Sequence, residues 1–195
     1  LKNKQYFEPS KICEINIAFD SSVKQIETAM RHTLFLTQNG CIYGSGSNQE
    51  GQLSFKDEDI SYDITQIKIP NNSAKISCSK KTSFVMDIKG KMYSFGSNEN
   101  GNLGINSELE SVPGIHRIQS THKIIDIHSG SSHACFIDTN NELYVFGLNK
   151  YAQCGIKNQK PVILPSKYAV ISPQKLDFNK AIKHIKCGTY HNIMQ

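Results

Sequence analysis

Gly90-Lys91-Met92-Tyr93-Ser94-Phe95-Gly96-Ser97-Asn98-Glu99-Asn100-Gly101-Asn102-Leu103-Gly104 decides the fold, because the chain writes this phrase more than once. Gly40-Cys41-Ile42-Tyr43-Gly44-Ser45-Gly46-Ser47-Asn48 precedes it, and Glu142-Leu143-Tyr144-Val145-Phe146-Gly147-Leu148-Asn149 follows. Upstream of each copy stands an Ile-led run, a small-residue turn and a second apolar run. Ile26, Ile76, Ile127 and Ile185 lead four such units, spaced 50, 51 and 58 residues apart, and the fourth unit is short. A period of this size belongs to propellers and stacked arrays, whose unit cannot bury its apolar surface alone.

Turn chemistry divides each unit into strands. The run at the leading isoleucine is the first, and Thr33–Thr37, Ser83–Asp87 and Ala134–Asp138 form the second. Gln38-Asn39-Gly40, Lys89-Gly90 and Asn140-Asn141 supply hairpin turns, since Asn and Gly accept the positive φ of tight hairpins. Ile42–Gly46, Met92–Gly96 and Leu143–Gly147 are the third strands. An outer fourth strand is expected at Thr65–Ile69, Ile115–Gln119 and Lys167–Ile171. Four antiparallel strands make a propeller blade. Tyr93 and Phe95 alternate with Met92, so both faces of the third strand are apolar, as suits a sheet sandwiched between neighbouring sheets.

The chain has no Trp, which removes the Trp-Asp propeller signature, and it lacks the double glycine of kelch blades. Gly130-Ser131-Ser132-His133 followed by an apolar strand, and Asn98-Glu99-Asn100-Gly101-Asn102-Leu103-Gly104 after Tyr-x-Phe-Gly, resemble the regulator of chromosome condensation repeat family. The resemblance runs from about Glu8 to the C-terminus. It implies an all-β fold: a β-propeller of four-stranded antiparallel blades, seven to a closed ring, in a eukaryotic protein. About three and a half blades are present, as a diverged member: Ala29 and Ser79 replace the first glycine, Thr82 replaces the histidine, and Ser45 takes an aromatic site.

The expected division is 1–25 as the outer strand of a preceding blade and its connection, then blades at 26–75, 76–126 and 127–184, and the start of a further blade at 185–195. Glu8-Pro9-Ser10-Lys11-Ile12 resembles an outer strand, and His191-Asn192-Ile193-Met194-Gln195 falls inside a second strand. The chain is therefore expected to be part of a longer protein or assembly, with the remaining blades coming from the same longer chain or another. The third unit is the longest, and its extra residues fall within 156–181, at Lys157-Asn158-Gln159-Lys160-Pro161 and around Pro173-Gln174-Lys175.

Composition narrows the function classes. Against 22 Lys+Arg stand 17 Asp+Glu, a balance too mild and too dispersed to point to nucleic acid. No apolar run approaches the roughly 20 residues of a membrane helix. The six cysteines are far apart, without a Cys-x-x-Cys pair, and read as structural free thiols in a reducing compartment. An intracellular location, cytoplasmic or nuclear, is expected.

No catalytic constellation, phosphate loop or metal motif rises from the sequence, so no catalytic residue, no metal site and no cofactor are expected. His32, His133 and His191 share one repeat position. Ligands one blade apart cannot converge, whereas a blade-to-blade hydrogen bond repeats naturally. These histidines, with Gly101, Leu103 and Gly104, are therefore read as structural positions. In an up-and-down blade the loops joining strands one to two and three to four emerge on one face. There Asp57, Glu58, Asp59 and Asp63 outnumber Lys56, and Glu108 and Glu110 recur one blade later. With Lys157 and Lys160 of the long third connection, these are the candidate partner-binding residues. Lys75, Lys123, Lys175, Lys180 and Lys183 gather near the opposite face, suggesting a disc with one acidic side.

The expected function is a non-catalytic protein-interaction scaffold that binds protein partners through its loop faces. The resemblance implies one alternative, guanine-nucleotide exchange on the small GTPase Ran, although no wedge hairpin is found. A second is the regulatory propeller of a larger ubiquitin ligase or kinase.

Overall fold

A computed structural model describes residues 19–56, 59–157, 162–177, 182 and 184–195. Strands occupy these residues without a helix. Four strands form the first sheet in the order β1 (Val23–Thr28), β2 (His32–Thr37), β3 (Ile42–Ser47) and β4 (Ile60–Ile67). The second holds β5 (Ser73–Cys78), β6 (Thr82–Asp87), β7 (Met92–Gly96) and β8 (His116–Ile118). The third holds β9 (Ile124–Ser129), β10 (His133–Asp138), β11 (Leu143–Leu148) and β12 (Ala169–Leu176). A two-stranded sheet follows, β13 (Ile185–Cys187) with β14 (Asn192–Met194). Every pairing is antiparallel between chain neighbours. The fold is thus a β-propeller arc of about three and a half blades.

The core lies between blades, not within one. Leu34, Leu36, Ile42 and Leu53 of the first blade pack with Ile76, Cys78, Val85 and Phe95 of the second. On the far side of that second blade, Phe84, Met86, Met92 and Ile118 join Ile127, Phe136, Val145 and Phe146 of the third. Alternating side chains of β6 and β7 therefore serve two different cores, and both strands are buried throughout. Phe95 faces one neighbour and Met92 the other, which is the physical meaning of a strand apolar on both faces.

Two local devices set the blade. The glycines closing each third strand, Gly46, Gly96 and Gly147, have φ of 106°, 116° and 99°. A Cβ there would stand 2.4 to 2.6 Å from a carbonyl oxygen of Arg31, Lys81 or Ser132, so the turn before the second strand crosses directly over a residue without a side chain. The asparagine two residues further on clasps the next loop. Asn48 Oδ1 accepts the Leu53 N–H at 2.9 Å while its Nδ2 donates to Phe55 O at 3.0 Å. Asn149 does the same with Cys154 N and Ile156 O, both at 2.9 Å. Asn98 accepts from Leu103 N and donates to Ser107 O and Leu109 O.

The outer strands differ from the sequence expectation. The first begins earlier, at Ile60, and the second contracts to three residues. The third runs over Ala169–Leu176, so Pro173-Gln174-Lys175 belongs to strand and not to connection. Pro173 is tolerated because the strand is outermost and its pairing with β11 is irregular between Val145 and Gly147.

Candidate protein-binding face

One face carries the turns before each second strand and the long loops after each third. Near the propeller axis Met30, Lys80, Ser131 and Tyr190 border an open depression of about 570 Å³. Farther out, a cleft of about 520 Å³ between the first two blades is lined by Glu50, Phe55, Lys56, Val112 and Pro113. Large apolar side chains stand out among these loops: Ile163 is 89% exposed, Tyr62 at the outer strand 88% and Leu109 67%. Tyr151 and Tyr190 meet edge to face with centroids 4.9 Å apart, and Lys150 Nζ lies 5.6 Å from the Tyr151 ring.

The loops are pinned beneath this surface. Lys81 Nζ reaches Glu50 Oε1 at 2.9 Å and Glu99 Oε2 at 3.1 Å, joining the loops of two blades. Glu50 and Glu99 hold its ammonium above the usual lysine range. Glu108 Oε2 accepts the Ile163 N–H at 3.0 Å, which ties the second blade's loop to the third's. Asp59 and Glu110 occupy one repeat position, where the main-chain oxygen of each accepts the N–H of Asn48 or Asn98. Backbone thus holds the loop while both carboxylates face solvent. Asp63 lies on the exposed side of β4, and Lys157 is exposed beyond Ile156. Asp57, Glu58 and Lys160 lie outside the described residues.

Charge on this face is uneven. The long loops of the first two blades carry Glu50, Asp59, Glu99, Glu108 and Glu110 against Lys56, with Arg31, Lys80 and Lys81 on the turns beside them, whereas the long loop of the third carries Lys150, Lys157 and Lys167 without an acid. The acids therefore sit in the outer loops of the first two blades next to a basic loop of the third, and the face is not uniformly acidic.

His32 and His133 are buried between blades. His32 Nε2 lies 3.0 Å from Ser83 Oγ, which donates at 2.6 Å to Gln52 O. The serine proton is thereby spent on the carbonyl, so His32 must donate from Nε2. His32 Nδ1 has no partner, and burial lowers the His32 pKa from 6.5 to about 4. His133 Nε2 bonds Asn192 Oδ1 at 2.8 Å, and Asn192 Nδ2 donates at 2.7 Å to Gln153 O. Between the second and third blades the equivalent positions are Thr82 and Ala134, and Thr82 Oγ1 turns inward to Ser97 O at 3.0 Å. His191 is exposed. Sequence inspection missed Ser83 and Asn192; the available signal was their position, each one residue past the histidine site of the following blade. Leu103 is fully buried, and a Cβ on Gly104 would stand 2.6 Å from the Phe146 ring, so this loop plugs into the next blade.

Cys78, Cys135 and Cys154 are buried free thiols, and Cys187, partly buried, approaches Cys135 to 3.4 Å between sulfurs. Burial pushes the Cys154 thiol up to about 12. Cys13 lies outside the described residues. Among the described residues no helix is long and apolar enough to cross a membrane.

Stacked four-stranded blades with the core between them and loops clasped by asparagine define a propeller module. The sequence model of the "Regulator of chromosome condensation (RCC1) repeat" matches residues 89–137 and 140–194, more than half of the chain, and a second model of that repeat matches 31–52 and 124–153. The chain belongs to the RCC1-repeat family. It is 27% identical over 161 residues to the Protein RCC2 homolog of Xenopus laevis, covering 69% of this chain and 31% of that protein. It is 26% identical to the mouse serine/threonine-protein kinase Nek9, covering 75% of this chain and 17% of the kinase. The chain thus spans a third or less of these relatives. Among solved structures, Prp20p from Saccharomyces cerevisiae is similar with a TM-score of 0.76 at 18% identity, over 88% of this chain and 43% of that one.

Proposed function

We propose that this propeller is a non-catalytic scaffold that binds a protein partner across its loop face. The observation carrying this is the set of exposed Tyr62, Leu109, Tyr151 and Ile163 beside segregated charge, on loops that Lys81, Glu108 and the asparagine clasps hold in place. Rigid loops bearing apolar anchors with a charged rim lower the ordering cost of binding and orient the partner. The acids Asp59, Asp63, Glu108 and Glu110, to which Asp57 and Glu58 are added by sequence alone, suit a basic patch on that partner, and Lys157, with Lys160 added by sequence alone, suits an acidic one. Prp20p supports the reading by example, since its structure was reported with its binding to Gsp1p and histones.

The test is affinity for a purified partner identified by cross-linking to the intact protein. Reversal of Asp59 and Asp63, or of Glu108 and Glu110, to lysine is expected to weaken binding at least about tenfold at low salt. Unchanged affinity in both reversals would refute the assignment of this face. Exchange on Ran is decided separately by nucleotide release from the purified GTPase: acceleration by this chain would replace the scaffold reading with the exchange one.

A further inference from the structure

On the opposite face, where hairpin turns meet the connections between blades, the second and third blades solve one local problem differently. In the second, Asp87 closes β6: its Oδ1 accepts the Lys89 and Lys91 N–H groups, and its Oδ2 accepts from Asn71 Nδ2 at 2.9 Å with Tyr93 O–H at 3.4 Å. In the third, Asp138 Oδ1 accepts the Asn140 and Glu142 N–H groups in the same way. Yet His122 stands where Asn71 did, Glu142 stands where Lys91 did, and Tyr144 now donates to Glu142 Oε2 at 2.9 Å. Asp138 Oδ2 is left fully buried without a hydrogen-bond partner.

We propose that His122, Asp138 and Glu142 form a zinc site. Their ligand atoms all lie within 4.8 Å of one another, and His122 Nδ1 is 3.3 Å from Asp138 Oδ2. Zinc bonds of about 2.0–2.1 Å at tetrahedral angles put neighbouring ligand atoms roughly 3.3–3.4 Å apart, which is the His122–Asp138 spacing, and Glu142, within 4.8 Å of both, closes in on the ion. Asp138 Oδ2 is fully buried, accepts no hydrogen bond and faces His122 Nδ1 across 3.3 Å, so a cation held between the two would satisfy a carboxylate oxygen that is costly to bury unbonded. One imidazole with two carboxylates favours zinc over magnesium or calcium, which prefer all-oxygen shells. Lys175 Nζ holds Glu142 Oε1 at 2.7 Å, leaving Oε2 to ligate once the Tyr144 hydroxyl turns away, and Thr121 Oγ1 lies 3.1 Å from His122 Nδ1. His122 is exposed, so water completes the shell. The bound ion clips the connection between the second and third blades to the hairpin of the third.

Intact protein stripped with a chelator is titrated with Zn²⁺ by calorimetry and with Co²⁺ by visible absorption, alongside His122→Asn, which copies the second blade, and Glu142→Gln. One equivalent of Zn²⁺ and a zinc-dependent rise in melting temperature are expected. The site should weaken by at least about 100-fold in either variant, since even outer-shell changes cost 10–100-fold. Cobalt should give ligand-field bands without a thiolate charge-transfer band. No uptake, uptake unchanged in both variants, or a thiolate band reporting cysteine ligation would each overturn the proposal. Because His122→Asn reproduces a pairing the chain already uses, its loss of binding is separable from misfolding, which circular dichroism checks.

Discussion

His32 shows how much one buried proton can decide. Its Nε2 donates to Ser83 Oγ, and a second proton would have to sit on Nδ1, where no partner exists. The folded state therefore holds the ring neutral down to a pKa of about 4, against 6.5 in an exposed ring. Between those values the unfolded chain binds the extra proton, so this contribution is intact above pH 6.5 and is lost as pH falls toward 4. Urea unfolding is expected to lose about 1.4 kcal/mol per pH unit in that window from this group, and His32→Gln should flatten the slope there. Ser83→Ala leaves His32 Nε2 and Gln52 O unpaired in the interior, and should cost about 1–3 kcal/mol at neutral pH. A loss below about 0.5 kcal/mol in equilibrium unfolding would show that water replaces the hydroxyl.

At the scale of the element, the third strand is where the blade is made. Phe95 is fully buried in the core shared with the first blade, and its truncation to alanine should cost about 3–5 kcal/mol by thermal or urea unfolding. Gly96→Ala tests a different force at the adjacent residue. Its φ is 116° and the new Cβ would meet Lys81 O at 2.4 Å, so destabilisation of about 1–3 kcal/mol is expected from strain, without loss of apolar area. A Gly96→Asn variant should be no more stable than Gly96→Ala, because a φ of 116° lies outside the left-handed region that asparagine tolerates; recovery of stability there would count against the strain account.

Across the whole molecule, stability is a sum over interfaces between neighbouring blades, as in other repeat proteins. The first interface and the last carry a His relay through Ser83 or Asn192, whereas the middle one, with Thr82 and Ala134, carries none. The second and third blades are instead joined by Lys75 with Asp126 and by Ser77 Oγ with Ser129 Oγ, so hydrogen exchange is expected to find weaker protection only locally, at the amides around Thr82 and Ala134. For partner binding the sectors of charge make a further prediction. Affinity should fall as ionic strength rises and most of that change should appear in the association rate, because rim charges act by steering. A salt-independent rate constant would assign recognition to Leu109, Ile163 and the exposed tyrosines alone.

The repeated phrase settled the architecture because its causes lie within one blade: an Asn clasp closes the loop that follows it, a Gly at positive φ lets the blade's own preceding turn cross it, and a strand buried on both faces advertises itself in its own side chains. The outer strands were less legible, since Pro173 marks a break in sequence but sits in an edge strand where its missing N–H costs nothing. Ser83, Asn192 and the His122, Asp138 and Glu142 cluster were not legible from one repeat at a time. Their meaning depends on which blade stands beside which and on where an interblade connection falls, and those neighbours are brought together by packing between residues that stand 16, 51 and 59 positions apart in the chain. Sequence alone determined the blade and its family; only the tertiary structure decided which polar atoms meet between blades and which, such as His32 Nδ1 and Asp138 Oδ2, are buried without a hydrogen bond, because those neighbours come from different blades and connections.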